Sequence, residues 1–126
     1  MAVKWDTLNG EKILYVDLSN MSDTKIMVFN LDEGVRRLKE DPSPTALVLI
    51  NLTNTSLGLE FMRQAKDKVK ALLKVKECKT AMTGLTGLQK VIFDAYRKFT
   101  GSKAKLFQNE FECETYLAPP RPKAMA

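Results

Sequence analysis

The sequence predicts an α/β domain: one mixed β-sheet of about five strands with about four helices, in the order β-β-α-β-α-β-α-β-α. Three observations carry this. Thr80 to Phe107, TAMTGLTGLQKVIFDAYRKFTGSKAKLF, reads as a buried strand, a glycine-punctuated turn, an amphipathic helix and a second strand, which is half of an α/β layer. Leu8-Asn9-Gly10-Glu11 places an Asn-Gly pair, able to take the positive φ angles of a tight hairpin, between two strand-like runs. TALVLINL, starting at Thr45 just after a proline, is a continuous apolar run suited to a strand covered on both faces.

Each element has its own signal. Val3 to Thr7 and Lys12 to Leu18 are the hairpin strands and pair antiparallel. From about Ser22 to Glu40, Met27, Leu31, Val35 and Leu38 recur at helical spacing; Gly34 weakens that helix, and Asn30 with Glu33 offers a later start. Asp41-Pro42-Ser43-Pro44 stops it and the TALVLINL strand follows. A long helix runs from Ser56 or Leu57 to Val75. Cys78 to Met82 is the next strand, and Thr86 with Gln89 forms a capping box opening a helix from Gly87 to Phe99 that buries Leu88, Val91, Ile92, Ala95 and Phe99. Thr100-Gly101 ends it, Lys105 to Phe107 is the last strand, and Asn109 with Glu112 caps a final helix ending near Leu117. Strands joined through helices run parallel by right-handed crossovers, so the antiparallel hairpin makes the sheet mixed.

With 126 residues, 44% of them hydrophobic, the chain buries one core, so a single domain is expected over 1–118 with a disordered tail over 119–126. No apolar run approaches the roughly 20 residues that span a bilayer, and MAVKWDTLNG lacks a signal-peptide core, so the expected location is cytoplasmic. Cys78 and Cys113 follow no metal-ligand spacing and are read as free structural thiols.

The net charge of +5 raises nucleic acid as a partner. Arg63, Lys66, Lys70 and Lys74 form a stripe on one helix face, opposite Met62, Ala65, Val69 and Leu72. No aromatic interleaves with them as base stacking requires, so a solvated face is the favoured reading and nucleic acid is disfavoured. Catalysis is not expected: the chain has no histidine, neither cysteine has a base partner, and no serine stands in a G-x-S-x-G elbow. No metal site and no cofactor are expected.

The element order, with AMTGLTGLQKVIFDAYRKFTG, the ending KLFQNEFECETYL and VLINLTNTS after the third strand, resembles the STAS-like domain family, named for sulfate transporters and anti-sigma-factor antagonists. The likeness is greatest to its small stand-alone bacterial branch, often grouped with Sec14-like domains, and covers nearly all of the chain except the tail. It implies a non-catalytic cytosolic module that binds a protein partner and is switched by phosphorylation of a Ser or Thr in the loop after the third strand. That loop is Thr53-Asn54-Thr55-Ser56 here, so Thr55 or Ser56 takes the phosphoacceptor place, although the family's Asp-Ser-Ser-Gly pattern is absent. A phosphate there meets the partial positive charge of a helix N-terminus; the plainer alternative is that either residue only caps the helix.

A second loop, Thr83-Gly84-Leu85-Thr86-Gly87 with Lys90 one turn on, offers glycines and a helix N-terminus to an anion but lacks both G-x-x-x-x-G-K-[ST] and G-x-G-x-x-G. A tight strand-to-helix turn explains it as well. Both loops follow parallel strands expected to be neighbours and so share the carboxyl edge of the sheet. The alternatives to a protein partner are a small-molecule ligand (lipid or nucleotide) near Thr83 to Thr86 and, third, an anionic surface or nucleic acid on the basic stripe. Apolar residues among Met21, Met27, Val28 and Phe29 also raise a homodimer.

Overall fold

A computed structural model describes residues 2–120, apart from the side chain of Phe99. The expected tail therefore lies outside the described residues from 121 onward.

Nine elements follow the expected order: β1 (Val3–Leu8), β2 (Glu11–Asp17), α1 (Thr24–Glu40), β3 (Thr45–Asn51), α2 (Leu59–Leu73), β4 (Glu77–Thr83), α3 (Leu88–Thr100), β5 (Lys105–Phe107) and α4 (Glu110–Leu117). The sheet is mixed and its spatial order is β1-β2-β3-β4-β5. Asn9 and Gly10 take φ of 50° and 81° and close the antiparallel β1–β2 hairpin with Leu8 opposite Glu11. β2 to β5 then run parallel.

Because the strands advance one place at a time in one direction, right-handed crossovers put α1, α2 and α3 on the same face. α4 crosses back over the other face and packs on β3, β4 and β5. The core divides accordingly. Leu14, Val16, Val48 and Met82 meet Met27, Phe61, Ala65 and Phe93 on the three-helix side, while Ile13, Leu49 and Ala81 meet Cys113 and Leu117 under α4. The register explains the split: Ile13 and Leu49 share one face of the pleat, Leu14 and Val48 the other. Strand order never reverses, so the sheet lacks the switch-point crevice where doubly wound folds hold ligands.

Helix boundaries show where local chemistry was misread. Asp23 opens α1, its carboxylate accepting from the amides of Lys25 and Ile26, and Asn30 lies mid-helix rather than at a later start. α2 starts at Leu59 behind an N-cap Gly58, so neither Thr55 nor Ser56 caps it. α3 turns a different face inward from the one expected. Phe93 and Thr100 are buried and Tyr96 half-buried, whereas Ala95 is exposed, as are Leu88 at 73% and Val91 at 63%. Asn109 caps α4 as expected, accepting from Glu112.

Gly34 is buried mid-helix, and a Cβ there would sit 3.5 Å from Val16 Cγ2, an ordinary contact. Gly34→Ala is expected to stabilise the domain by about 1 kcal/mol, from helix propensity and an added buried methyl, read as a higher urea midpoint at unchanged slope.

Candidate functional site

The loops leaving β2, β3 and β4 meet at the carboxyl edge. Asn20 and Asn54 turn with φ of 62° and 53°, and the Asn54 amide donates to Asn20 Oδ1 at 2.9 Å. Asn20 N donates to Thr53 O (2.9 Å) and Ser56 N to Met21 O (3.0 Å), lacing the β2–α1 loop to the β3–α2 loop. On the other side, Leu52 N donates to Thr83 O (2.8 Å), and Gln89 Nε2 donates to Thr55 O (3.0 Å). These are neutral hydrogen bonds at short range, so the edge is a fixed platform.

On this platform the two phosphoacceptor candidates part. Thr55 is 5% exposed and its hydroxyl donates to Leu18 O at 2.8 Å, so it serves as an internal tie. Ser56 is exposed, and its hydroxyl makes no hydrogen bond among the described residues. It lies two residues before the N-cap Gly58, which has no side chain to satisfy the first amides of α2.

In the second loop Thr83 is buried and Gly84, at φ 100°, lies against the Leu52–Thr53 backbone. Gly87, at φ 52°, is the N-cap of α3 without a side-chain cap. Thr86 N donates to Gln89 Oε1 (3.3 Å), the reciprocal half of the capping box, while Gln89 N bonds Thr86 O and Lys90 N bonds Gly87 O. Those amides are spent on the turn, and Lys90 is exposed at its rim. The geometry is that of a tight strand-to-helix turn.

Along α2, Arg63 binds Glu60 (2.6 Å), and its guanidinium holds the Glu60 carboxyl below the usual carboxylate range. Lys70 and Lys74 are exposed, and Lys66 is half-buried. Both cysteines are free: burial pushes the Cys78 thiol up and the Cys113 thiol to about 11, so neither is a ready thiolate at neutral pH.

Sequence reading missed a set of bare apolar side chains. Ile26, Phe29, Leu59, Leu88, Val91 and Phe111 are all more than half exposed, and together with Val75 they make up the exposed large hydrophobics among the described residues. All but Val75 lie in the first two turns of a helix. Every helix leaves the carboxyl end of its strand, so those turns surround the edge that carries Ser56. Within the quartet that raised a homodimer, Met27 is fully buried, Met21 and Val28 are half-buried, and Phe29 alone stands out at 70%.

No helix among the described residues is long and apolar enough to cross a membrane, and no group of three or more His, Cys, Asp or Glu among them is placed to hold a metal. Compared with family models, with curated proteins and with solved structures, the chain matches none.

Proposed function

We propose that this chain is a non-catalytic regulatory module, resembling an anti-sigma-factor antagonist of the STAS-like kind, that docks a protein partner on the carboxyl edge of its sheet. One observation carries the reading: the exposed Ile26, Phe29, Leu59, Leu88 and Val91 gather at the helix starts around a laced, rigid set of loops. A domain able to bury its apolar residues elsewhere leaves them bare at one edge, and grouped exposure of this kind marks interaction surfaces. Phe and Leu anchors on a fixed backbone bind with little ordering cost.

Ser56 is the switch in this proposal. A phosphate there adds about two negative charges beside Leu59 and in front of the unsatisfied first turn of α2. It places a strongly hydrated group inside an apolar contact, so it lowers affinity. The basic stripe supports nucleic acid less well, since Arg63 is neutralised by Glu60.

Native mass spectrometry of the protein drawn gently from its own cytosol tests this. The expected result is phosphate mapped to Ser56 and absent from Thr55, with the unmodified chain held in a complex of fixed stoichiometry. Ser56→Glu is expected to weaken that complex about tenfold or more, and Ser56→Ala to leave it intact. A bare, unmodified monomer overturns the proposal.

A further inference from the structure

The core under the three helices is incompletely filled. A cavity of about 100 Å³ lies between the β3–β4 region of the sheet and α1, α2 and α3. Its cause is legible in the residues: Gly34 on α1, Ala65 on α2, and Cys78 and Thr80 on β4 all turn small side chains to a place where three helices meet a sheet. The walls are otherwise apolar, with Phe61, Leu72, Met82 and Phe93 among them. An apolar cavity of about 150 Å³ holds a benzene molecule, and this one is about two-thirds as large.

Five polar side chains interrupt this lining: Cys78, Thr80, Gln89, Tyr96 and Ser102. Gln89 Nε2 donates to Thr55 O and Ser102 Oγ accepts from Ala104 N, whereas the Thr80 and Tyr96 hydroxyls and the Cys78 thiol make no hydrogen bond among the described residues. Burial holds both the Tyr96 phenol and the Cys78 thiol in their neutral, protonated forms. A central strand normally fills such a face with Val, Ile or Leu; β4 instead presents Cys78, Thr80 and Met82 in alternation. No fully buried side-chain nitrogen or oxygen among the described residues lacks a partner, so these hydroxyls face space that a water-sized molecule reaches and are open to a hydrogen bond from a guest.

We infer that this cavity is a binding site for a compact, mostly apolar molecule with a single hydrogen-bonding group, of the size and polarity of a phenol. The space is too small for a diacyl lipid, and nothing charged lines it. The cavity adjoins the docking edge, since Leu57, Leu85 and Gln89 line it, but the inference stands whether or not that edge binds a partner.

Phenol and benzene, titrated into the intact protein and followed by methyl NMR, are the probes. Saturable shifts of the Met82 and Ala65 methyls are expected with both. Phenol should bind about fivefold more tightly, the worth of one hydrogen bond, and Tyr96→Phe or Thr80→Val should erase that preference while sparing benzene. Ala65→Leu, which fills the cavity from α2, and Cys78→Leu, which fills it from β4, should each abolish both shifts. Absence of saturable shifts at millimolar probe, equal affinity for the two probes, or shifts that survive both filling variants overturns the inference.

Discussion

Gly84→Ala is expected to destabilise the domain by about 3–5 kcal/mol, lowering the thermal midpoint by roughly 10–20 °C. Two penalties coincide there. Gly84 sits at φ 100°, a region an alanine enters only at a cost of about 1–3 kcal/mol. Its Cβ would fall within 2.6 Å of the Leu52 carbonyl carbon and closer still to Thr53 N, against backbone that has no rotamer to yield. Relief requires the loops to part, which breaks the bond from Leu52 N to Thr83 O. Gly87 provides the control: its φ is also positive, at 52°, but a Cβ there meets nothing within 4 Å, so Gly87→Ala should cost only the backbone penalty of about 1–3 kcal/mol. Thermal and urea unfolding of the pair checks this, and equal losses would show that the close approach of the two loops is not what holds the edge.

Asp41→Ala is expected to cost a similar amount, about 3–5 kcal/mol, from the opposite edge of the sheet. The Lys76 side chain is 4% exposed, and its ammonium reaches Asp41 Oδ2 at 3.0 Å and Asp41 O at 3.1 Å. Asp41 Oδ1 also takes Lys12 at 3.0 Å. Removing the carboxylate strands a buried cation with one carbonyl as its partner. Lys76→Met removes the buried charge itself and leaves Asp41 to Lys12, so it should be much milder. Hydrogen bonds from Lys76 and then Lys12 hold the Asp41 carboxyl below its ordinary value. A folded-state pKa below the unfolded one gives stability that is complete above about pH 4 and is lost as pH falls through the lowered value. The stability gap between wild type and Asp41→Ala should therefore be full at pH 7 and shrink below about pH 4. A gap independent of pH over that range would remove the ion pair as its cause. Since this network lies at the amino edge, neither substitution should alter partner affinity in protein that remains folded.

Element order was readable in the sequence because three local signals agreed with the global one. Asn9-Gly10 fixed the hairpin, the unbroken TALVLIN run marked a strand covered on both sides, and Asn109 with Glu112 set the start of α4. The α3 face was misread for a physical reason. Its apolar residues cover a broad arc, so Leu88, Val91 and Ala95 make as good a stripe as Phe93 and Tyr96, and only the meeting with β4 and α2 decides between them. Boundaries at α2 failed on similar ground: Ser56 has good capping chemistry, but its amide is held by Met21 O, a contact 35 residues away in sequence that no local pattern announces. The same long-range lacing separates Thr55 from Ser56, which composition alone leaves equivalent. The exposed edge could have been suspected from one clue, the recurrence of large apolar residues in the first turns of successive helices. The cavity left only the Cys-x-Thr-x-Met alternation of β4 as a trace.

Site-specific photo-crosslinking in the native cell tests the docking edge most directly. A photoreactive phenylalanine placed singly at Phe29, Leu59 or Leu88 samples the edge, and one at Val75, equally bare but at the far end of α2, serves as the control. The edge positions are expected to yield the same crosslinked protein, lost in Ser56→Glu, while Val75 yields none. Crosslinks of equal strength from Val75, or none from the three edge positions, would contradict a docking surface at the carboxyl edge.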